Sequence, residues 1–318
     1  MILVCGEALI DLFVGRPSGA GLLSDAVPGG SPFNVAIGIA RLGGRVGFLS
    51  KVSSDFFGQY LLRRLAEAGV DTSFVVASDR ATTLSVVVTA PDGQPQYAFY
   101  GEGAADRSLL ASELPAVLPD EVSAIAIGSY TLAIDPVAAA IEQLVKRESA
   151  RRVISIDPNL RPRVIGDVAA WRPRFERLLT HCGVAKASVE DLEHLYGRGA
   201  DPHAVAADWM ARGPRLVVFT RGDSGAIAFH GADVLELPGR KVDVIDTVGA
   251  GDTFHGALLV SLEEQRLLAP DAIGGAPPTA IARAVHFAIM ASSITCSRQG
   301  ADLPTRADVE AAMRGSEA

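Results

Sequence analysis

Seven short, strongly apolar runs recur along this chain, and most of the stretches between them carry the spacing of helices. The runs are 2–5, 46–49, 124–127, 153–156, 183–186, 216–219 and 226–229. Runs this apolar suit strands buried on both faces, and strands that alternate with helices pair in parallel. The pattern predicts an α/β chain with a mostly parallel central sheet covered by helices on both faces. Asp55 is placed to cap a helix running to Ala68 and ended by Gly69. Asp135-Pro136 opens another, with proline at its first position. One region departs from the pattern. Residues 83–89 and 96–100 flank Pro91-Asp92-Gly93 like a β-hairpin, and with 11–27 they predict a small projecting sheet. No repeat, low-complexity tract or long linker divides the chain, so 1–318 reads as a single domain with that sheet formed by about 11–27 and 82–106.

Hydrophobic residues make up 48% of the chain, enough for a substantial core. A formal net charge of −8 argues against a nucleic-acid partner, because a phosphate backbone attracts basic patches. The apolar stretches look strand-length or interrupted by charge, and residue 2 already belongs to a strand with no basic segment before it. Neither a membrane span nor a signal peptide is expected. Cys5, Cys182 and Cys296 are far apart with no CxxC pair. That predicts reduced thiols in a cytoplasmic setting, with Cys5 and Cys296 in the interior. The six histidines never fall at i, i+4, so no zinc site is expected.

The segment richest in chemistry is Asp246-Thr247-Val248-Gly249-Ala250-Gly251-Asp252-Thr253. Before it, 241–245 alternate like a strand; after it, 254–260 read as an apolar helix. Glycines at 249 and 251 let backbone amides converge at the helix's positive end, where an anion can sit. Asp252, in the first turn, is placed to accept a proton from a hydroxyl attacking that anion. Phosphoryl transfer to an alcohol requires that arrangement. Taken alone, the octet also fits an acidic residue that only complements the helix dipole. Phe254 stands where a dinucleotide fingerprint needs glycine, and no GxxxxGK[S/T] occurs anywhere.

The octet resembles the C-terminal signature of the ribokinase-like family, the PfkB carbohydrate kinases. A second family signature stands near the N-terminus, in Gly29-Gly30-Ser31-Pro32-Phe33-Asn34-Val35-Ala36 and Ala40-Arg41-Leu42-Gly43-Gly44, and continues through 47–58. The resemblance extends from Gly6-Glu7-Ala8-Leu9-Ile10-Asp11 to Arg298-Gln299-Gly300-Ala301. It implies a ribokinase-like three-layer α/β/α fold, with the small sheet as a lid over a sugar site that pairs two subunits into a homodimer. It also implies ATP and Mg²⁺, with K⁺ as a monovalent cation held by carbonyls.

Carried over residue by residue, the resemblance makes Asp252 the catalytic base. The amides of Gly249, Ala250 and Gly251 would cradle the charge on the transferred group. Asp11, Gly30 and Asn34 become sugar contacts. Asp157-Pro158-Asn159-Leu160-Arg161 follows a strand, where open α/β sheets place their ligands. It looks like the family's D-x-N-x-R segment, which puts Asn159 at the substrate and lets Arg161 bridge phosphate and sugar. Ser188-Val189-Glu190-Asp191 stands at the family's N-x-x-E position, giving Ser188 a nucleotide contact and Asp191 a role toward Mg²⁺. The same four residues also match a helix capping box. Thr220, Gly222 and Gly225 resemble the loop over the ATP phosphates, within a segment that also reads as a hairpin turn. Ile289 stands near the family's adenine-pocket asparagine. Asp246, Arg298 and Gly300 mark the cation loop.

Several motifs look most like those of fructokinases, implying phosphorylation of a primary hydroxyl of a ketose such as D-fructose. One departure follows Phe99-Tyr100, where fructokinases usually carry arginine and this chain has Gly101-Glu102. Glu102 as a substrate contact would disfavour an anionic sugar. At this point 2-keto-3-deoxygluconate kinase, ribokinase, a nucleoside kinase and a non-catalytic sugar-binding regulator all remain open.

Overall fold

The computed structural model of the chain describes residues 1–18, 20–89 and 95–316. Among them the strands are β1 (Ile2–Cys5), β2 (Leu9–Ser18), β3 (Gly21–Gly29), β4 (Val46–Leu49), β5 (Lys51–Ser53), β6 (Val76–Ser78) and β7 (Leu84–Thr89). They continue with β8 (Pro95–Tyr100), β9 (Ala124–Gly128), β10 (Val153–Asp157), β11 (Val184–Ser188), β12 (Leu216–Thr220), β13 (Ala226–His230) and β14 (Asp233–Leu237). One sheet runs β14-β13-β12-β11-β10-β9-β1-β4. Every neighbouring pair from β12 to β4 is parallel, and β13 and β14 complete the edge antiparallel.

Alternate strand residues feed two separate cores. Ile2, Val4, Ala124 and Ala126 pack with helices Ser31–Arg41, Ala250–Glu264 and Pro278–Cys296. Leu3, Cys5, Ile125 and Ile127 pack on the other face with helices Val137–Glu148, Val168–Leu179 and Pro202–Arg212. Successive side chains of a strand point to opposite faces, so runs apolar at every position build a sheet dry on both sides. The three-layer α/β/α fold expected from the sequence follows from that.

The second sheet, β3-β2-β7-β8, pairs β2 with β7 in parallel and adds β3 and β8 antiparallel at its edges. It contains both strands of the expected hairpin; the turn Pro91-Asp92-Gly93 lies outside the described residues. Phe13, Leu22, Leu23, Val88 and Tyr100 of this sheet are exposed.

Several local expectations need correction. Residues 241–245 form no strand: Val244 and Ile245 are exposed, and the Ile245 N–H donates to the Cys296 carbonyl. The edge position is already taken by β14, whose own alternation is diluted by Asp233 and Glu236. Asp11, read from the sequence as the start of the small sheet, lies within β2, which begins two residues earlier at Leu9. Helix Val137–Glu148 begins one residue later than expected, with Pro136 at its cap. Pro278–Cys296 is long and apolar enough to cross a membrane by length and composition, yet it packs as a core helix against Ala250–Glu264. Cys182 is buried with Cys5, whereas Cys296 is only half so. The Asp55 cap stands as read: its Oδ1 accepts from Gly58 N–H at 2.7 Å.

Candidate active site

Three segments far apart in sequence converge on one carboxylate. Asp252 is the third residue of helix Ala250–Glu264 and is 6% exposed. Its Oδ1 accepts from Ser31 Oγ at 2.6 Å and Asn159 Nδ2 at 3.1 Å, and its Oδ2 accepts from Asn34 Nδ2 at 2.8 Å. Ser31 and Asn34 stand three residues apart in the first turn of helix Ser31–Arg41, so one helix face presents both. Asn159 follows β10 with φ 37°, a left-handed conformation that asparagine tolerates better than most residues. Its Nδ2 also donates to Ser31 Oγ at 2.7 Å.

Two glycines make these helix starts possible. Gly30 has φ 103°, and a Cβ there would lie 2.9 Å from the Glu7 carbonyl oxygen. Behind it the buried Glu7 carboxylate accepts from Ser31 N–H at 3.2 Å and Thr131 Oγ1 at 3.3 Å. Burial pushes Glu7 up to about 7, against hydrogen bonds that lower it. Gly249 starts the other helix in the left-handed region at φ 78°. The amides of Gly249 and Gly251 meet no protein acceptor among the described residues, but the Ala250 N–H donates to the Thr247 carbonyl at 3.2 Å. The three-amide cradle expected from the sequence is therefore reduced to the two glycines, because the 247–250 turn closes on itself.

Burial also raises Asp252 above the ordinary carboxylate range; the Ser31 and Asn34 hydrogen bonds and the Arg161 charge pull it back. Burial raises Asp11 likewise, opposed by the Ser85 hydroxyl and again by Arg161. One exposed guanidinium thus lowers both carboxylates, which places the Arg161 charge near each of them.

A buried polar layer lies beneath. Lys186 Nζ pairs with Asp157 Oδ2 at 2.8 Å, with both side chains nearly inaccessible. His255 bonds Ser155 Oγ through Nε2 at 2.7 Å, and burial, with Lys186 adding, holds it neutral with a pKa of about 3. His255 is therefore no rival base.

Other expected site residues divide. Ser188 and Asp191 form a capping box on helix Val189–Tyr196. The Asp191 carboxylate accepts from Ser188 N–H, Ser188 Oγ and Leu160 N–H, which leaves it little capacity toward Mg²⁺. Thr220 and the 222–225 turn join β12 to β13 as a hairpin, with Gly222 and Gly225 at positive φ. Asp246 ties its loop to the next by accepting from Val248 and Gly300 N–H, and Arg298 pairs with Asp302 and Asp308 nearby. Ile289 packs into the core at 5% exposure and offers a nucleotide almost no surface.

Glu102 was expected at the substrate. It is exposed and lines a separate cavity of about 340 Å³ with Lys51, Arg80 and Arg107. Arg107 meanwhile lies against Gly101. Its guanidinium lies over Phe99 and Tyr130 at 5.0 and 5.1 Å, and Nη2 is 2.7 Å from where a Cβ on Gly101 would be.

Sequence reasoning gave no role to Ser31, Asp157 or Lys186. A signal existed for the last: a lysine inside the apolar strand Val184–Ser188 is seldom buried unless paired.

The comparisons agree with this geometry. Residues 15–308 match the pfkB family carbohydrate kinase profile. A fructokinase of Rhizobium leguminosarum bv. trifolii is 39% identical over 84% of this chain and 81% of its own length. Fructokinase-1 of Zea mays is 33% identical over 97% of this chain and 96% of its own. The crystal structure of a Xylella fastidiosa fructokinase with bound ATP superposes with a TM-score of 0.91 at 28% identity, covering 100% of this chain and 99% of that one. The chain belongs to the pfkB family of carbohydrate kinases.

Proposed function

We propose that the chain transfers the γ-phosphate of ATP to a primary hydroxyl of a ketose, D-fructose foremost. The observation that carries this reading is the Asp252 carboxylate, buried at a helix start beside two free amides. Its three donors are of the kind a sugar hydroxyl can join or displace. The hydroxyl oxygen attacks the γ-phosphorus, its proton passes to Asp252, and the bond to the β-phosphate oxygen breaks to release ADP. Asp11, Gly30, Asn34 and Asn159 bind and orient the sugar. Gly249, Gly251 and Arg161 meet the phosphoryl oxygens, whose developing charge fixed donors stabilise without reorganising. Ser188, Thr220 and the 222–225 turn line the nucleotide side. Fructose is favoured because the relatives named fructokinase align over most of both chains.

Mg²⁺ neutralises charge on the ATP phosphates when bound. Asp191 is the carboxylate that the resemblance turns toward Mg²⁺, and with three hydrogen bonds already accepted it would act on the ion through water. The Asp246–Gly300 tie supports a K⁺ loop there. Free thiols at Cys5, Cys182 and Cys296 suit a cytoplasmic setting.

The test is ADP release from ATP and Mg²⁺ over hexoses, pentoses, 2-keto-3-deoxygluconate and nucleosides. Highest kcat/KM on fructose supports the reading. Turnover restricted to ribose or 2-keto-3-deoxygluconate replaces the sugar. Folded protein that binds a sugar but turns over none is a sensor.

Arg161→Leu is expected to move the acid limb of the kcat/KM profile to higher pH, because Asp252 loses the cation that lowers it. A limb that stays in place would remove Arg161 from the site.

The exposed apolar residues of β2, β3, β7 and β8 support a homodimer through the lid. Leu23→Arg should then shift sedimentation from dimer to monomer, and a wild type that sediments as a monomer rejects the lid dimer.

A further inference from the structure

Lys186 is a charge with no role so far. It stands in the middle of β11, on the face that feeds the helix Ala250–Glu264 core, and is 3% exposed. Asp157 Oδ2 takes one of its three protons, and that is the one hydrogen bond the ammonium makes among the described residues. Its Nζ lies 3.3 Å from the point a Cβ on Gly251 would occupy. Any side chain at 251 would stand between the ammonium and the helix start, so glycine there keeps the way open. The neighbouring His255 is held neutral, in part by this same charge, so no second cation competes at that depth.

Resting on the kinase reading above, we propose that Lys186 is a further catalytic residue, donating to the transferred phosphoryl group from the side-chain direction of Gly251. The Gly251 amide and the ammonium then hold oxygens of one group, and the charge that develops there meets a fixed cation in a water-poor site. Asp157 positions the ammonium through the 2.8 Å hydrogen bond that its Oδ2 accepts.

A purely structural role, as counter-ion to Asp157, makes a different prediction, and the pair of variants separates them. Lys186→Met alone leaves a buried carboxylate unpaired and is prone to unfold. Lys186→Met/Asp157→Asn removes both charges and keeps the volume. The double variant is expected to melt near wild type, keep its fructose KM within about threefold, and lose about 10²-fold in kcat. Its affinity for ADP with aluminium fluoride and fructose should fall by a similar factor while its affinity for ADP holds, since a transition-state mimic reports charge that the ground state lacks. Wild-type kcat and analogue affinity in the double variant would overturn the proposal. Failure of the kinase reading is distinguishable, because it appears as no turnover by the wild type.

Discussion

Asp252→Asn is expected to lower kcat by about 10²–10⁴-fold, the range a positioned base supplies, with sugar affinity changed only a few-fold. The substitution keeps the shape of the side chain and removes its basicity. Its amide oxygen can still accept from Asn34 and its amide can donate to the Ser31 hydroxyl, while Asn159 Nδ2 loses Oδ1 as an acceptor and keeps Ser31 Oγ. Neighbouring groups cannot take over. His255 is buried on Ser155 with a pKa of about 3, Asp157 is paired with Lys186, and Glu7 lies behind Gly30.

The stability side has the opposite sign. Because burial raises Asp252 in the folded chain, its contribution is present below the unfolded carboxylate range and is lost as pH rises through the raised value. The asparagine variant should therefore melt no lower than wild type at pH 8. Steady-state kinetics, calorimetric sugar binding and a melt would check all three points. A kcat within about tenfold of wild type would mean that the proton goes elsewhere.

Glu7→Gln is expected to change how stability depends on pH, by about 3 kcal/mol between pH 4.5 and pH 8. A glutamate ordinarily titrates near 4.5 and burial pushes this one to about 7. At about 1.4 kcal/mol per pH unit, ionising it inside the fold costs that much. The sign follows from the direction. The carboxyl contributes stability that is full below 4.5, where both states are protonated, and lost as pH rises through about 7.

The groups facing Glu7 do not reverse this. Asp106 adds repulsion and itself accepts from Thr83 and Tyr130, while Arg107 lies beside Asp106 over the Tyr130 ring. Ser31 N–H, Ser129 and Thr131 give Glu7 hydrogen bonds but no counter-charge. Glutamine can accept from Ser31 N–H and donate to Thr131, whose hydroxyl reverses. Urea denaturation of both proteins across this pH range is the measurement. A wild-type-minus-variant difference that stays flat would show that Glu7 does not titrate inside the fold.

The parallel strands were legible because each is buried on two faces, so its apolar character survives in every window that contains it. β14 was not, since an edge strand with polar residues carries a weaker signal than the non-strand 241–245, whose alternation reports no pairing at all. Asp252 was legible through its glycines, whose backbone freedom the local sequence expresses directly. Ser188 and Asp191 were legible twice over, and the structure favours the capping reading, because three hydrogen bonds occupy the carboxylate. Arg107 was not legible at all, because its approach to Gly101 and Phe99 is set by the fold and not by any motif around it.

From local pattern the sequence by itself determined the layered α/β architecture, the small second sheet and the two glycine-led helix starts, and the family resemblance pointed to Asp252 as the candidate base. Only the tertiary structure decided which donors hold that base, that Ala250 leaves the amide cradle, and that Lys186 lies under Gly251. The reason is physical. Periodicity and turn chemistry act between residues a few positions apart, whereas Ser31, Asn159, Lys186 and Asp252 meet only after sheet order and helix packing have closed the chain around them.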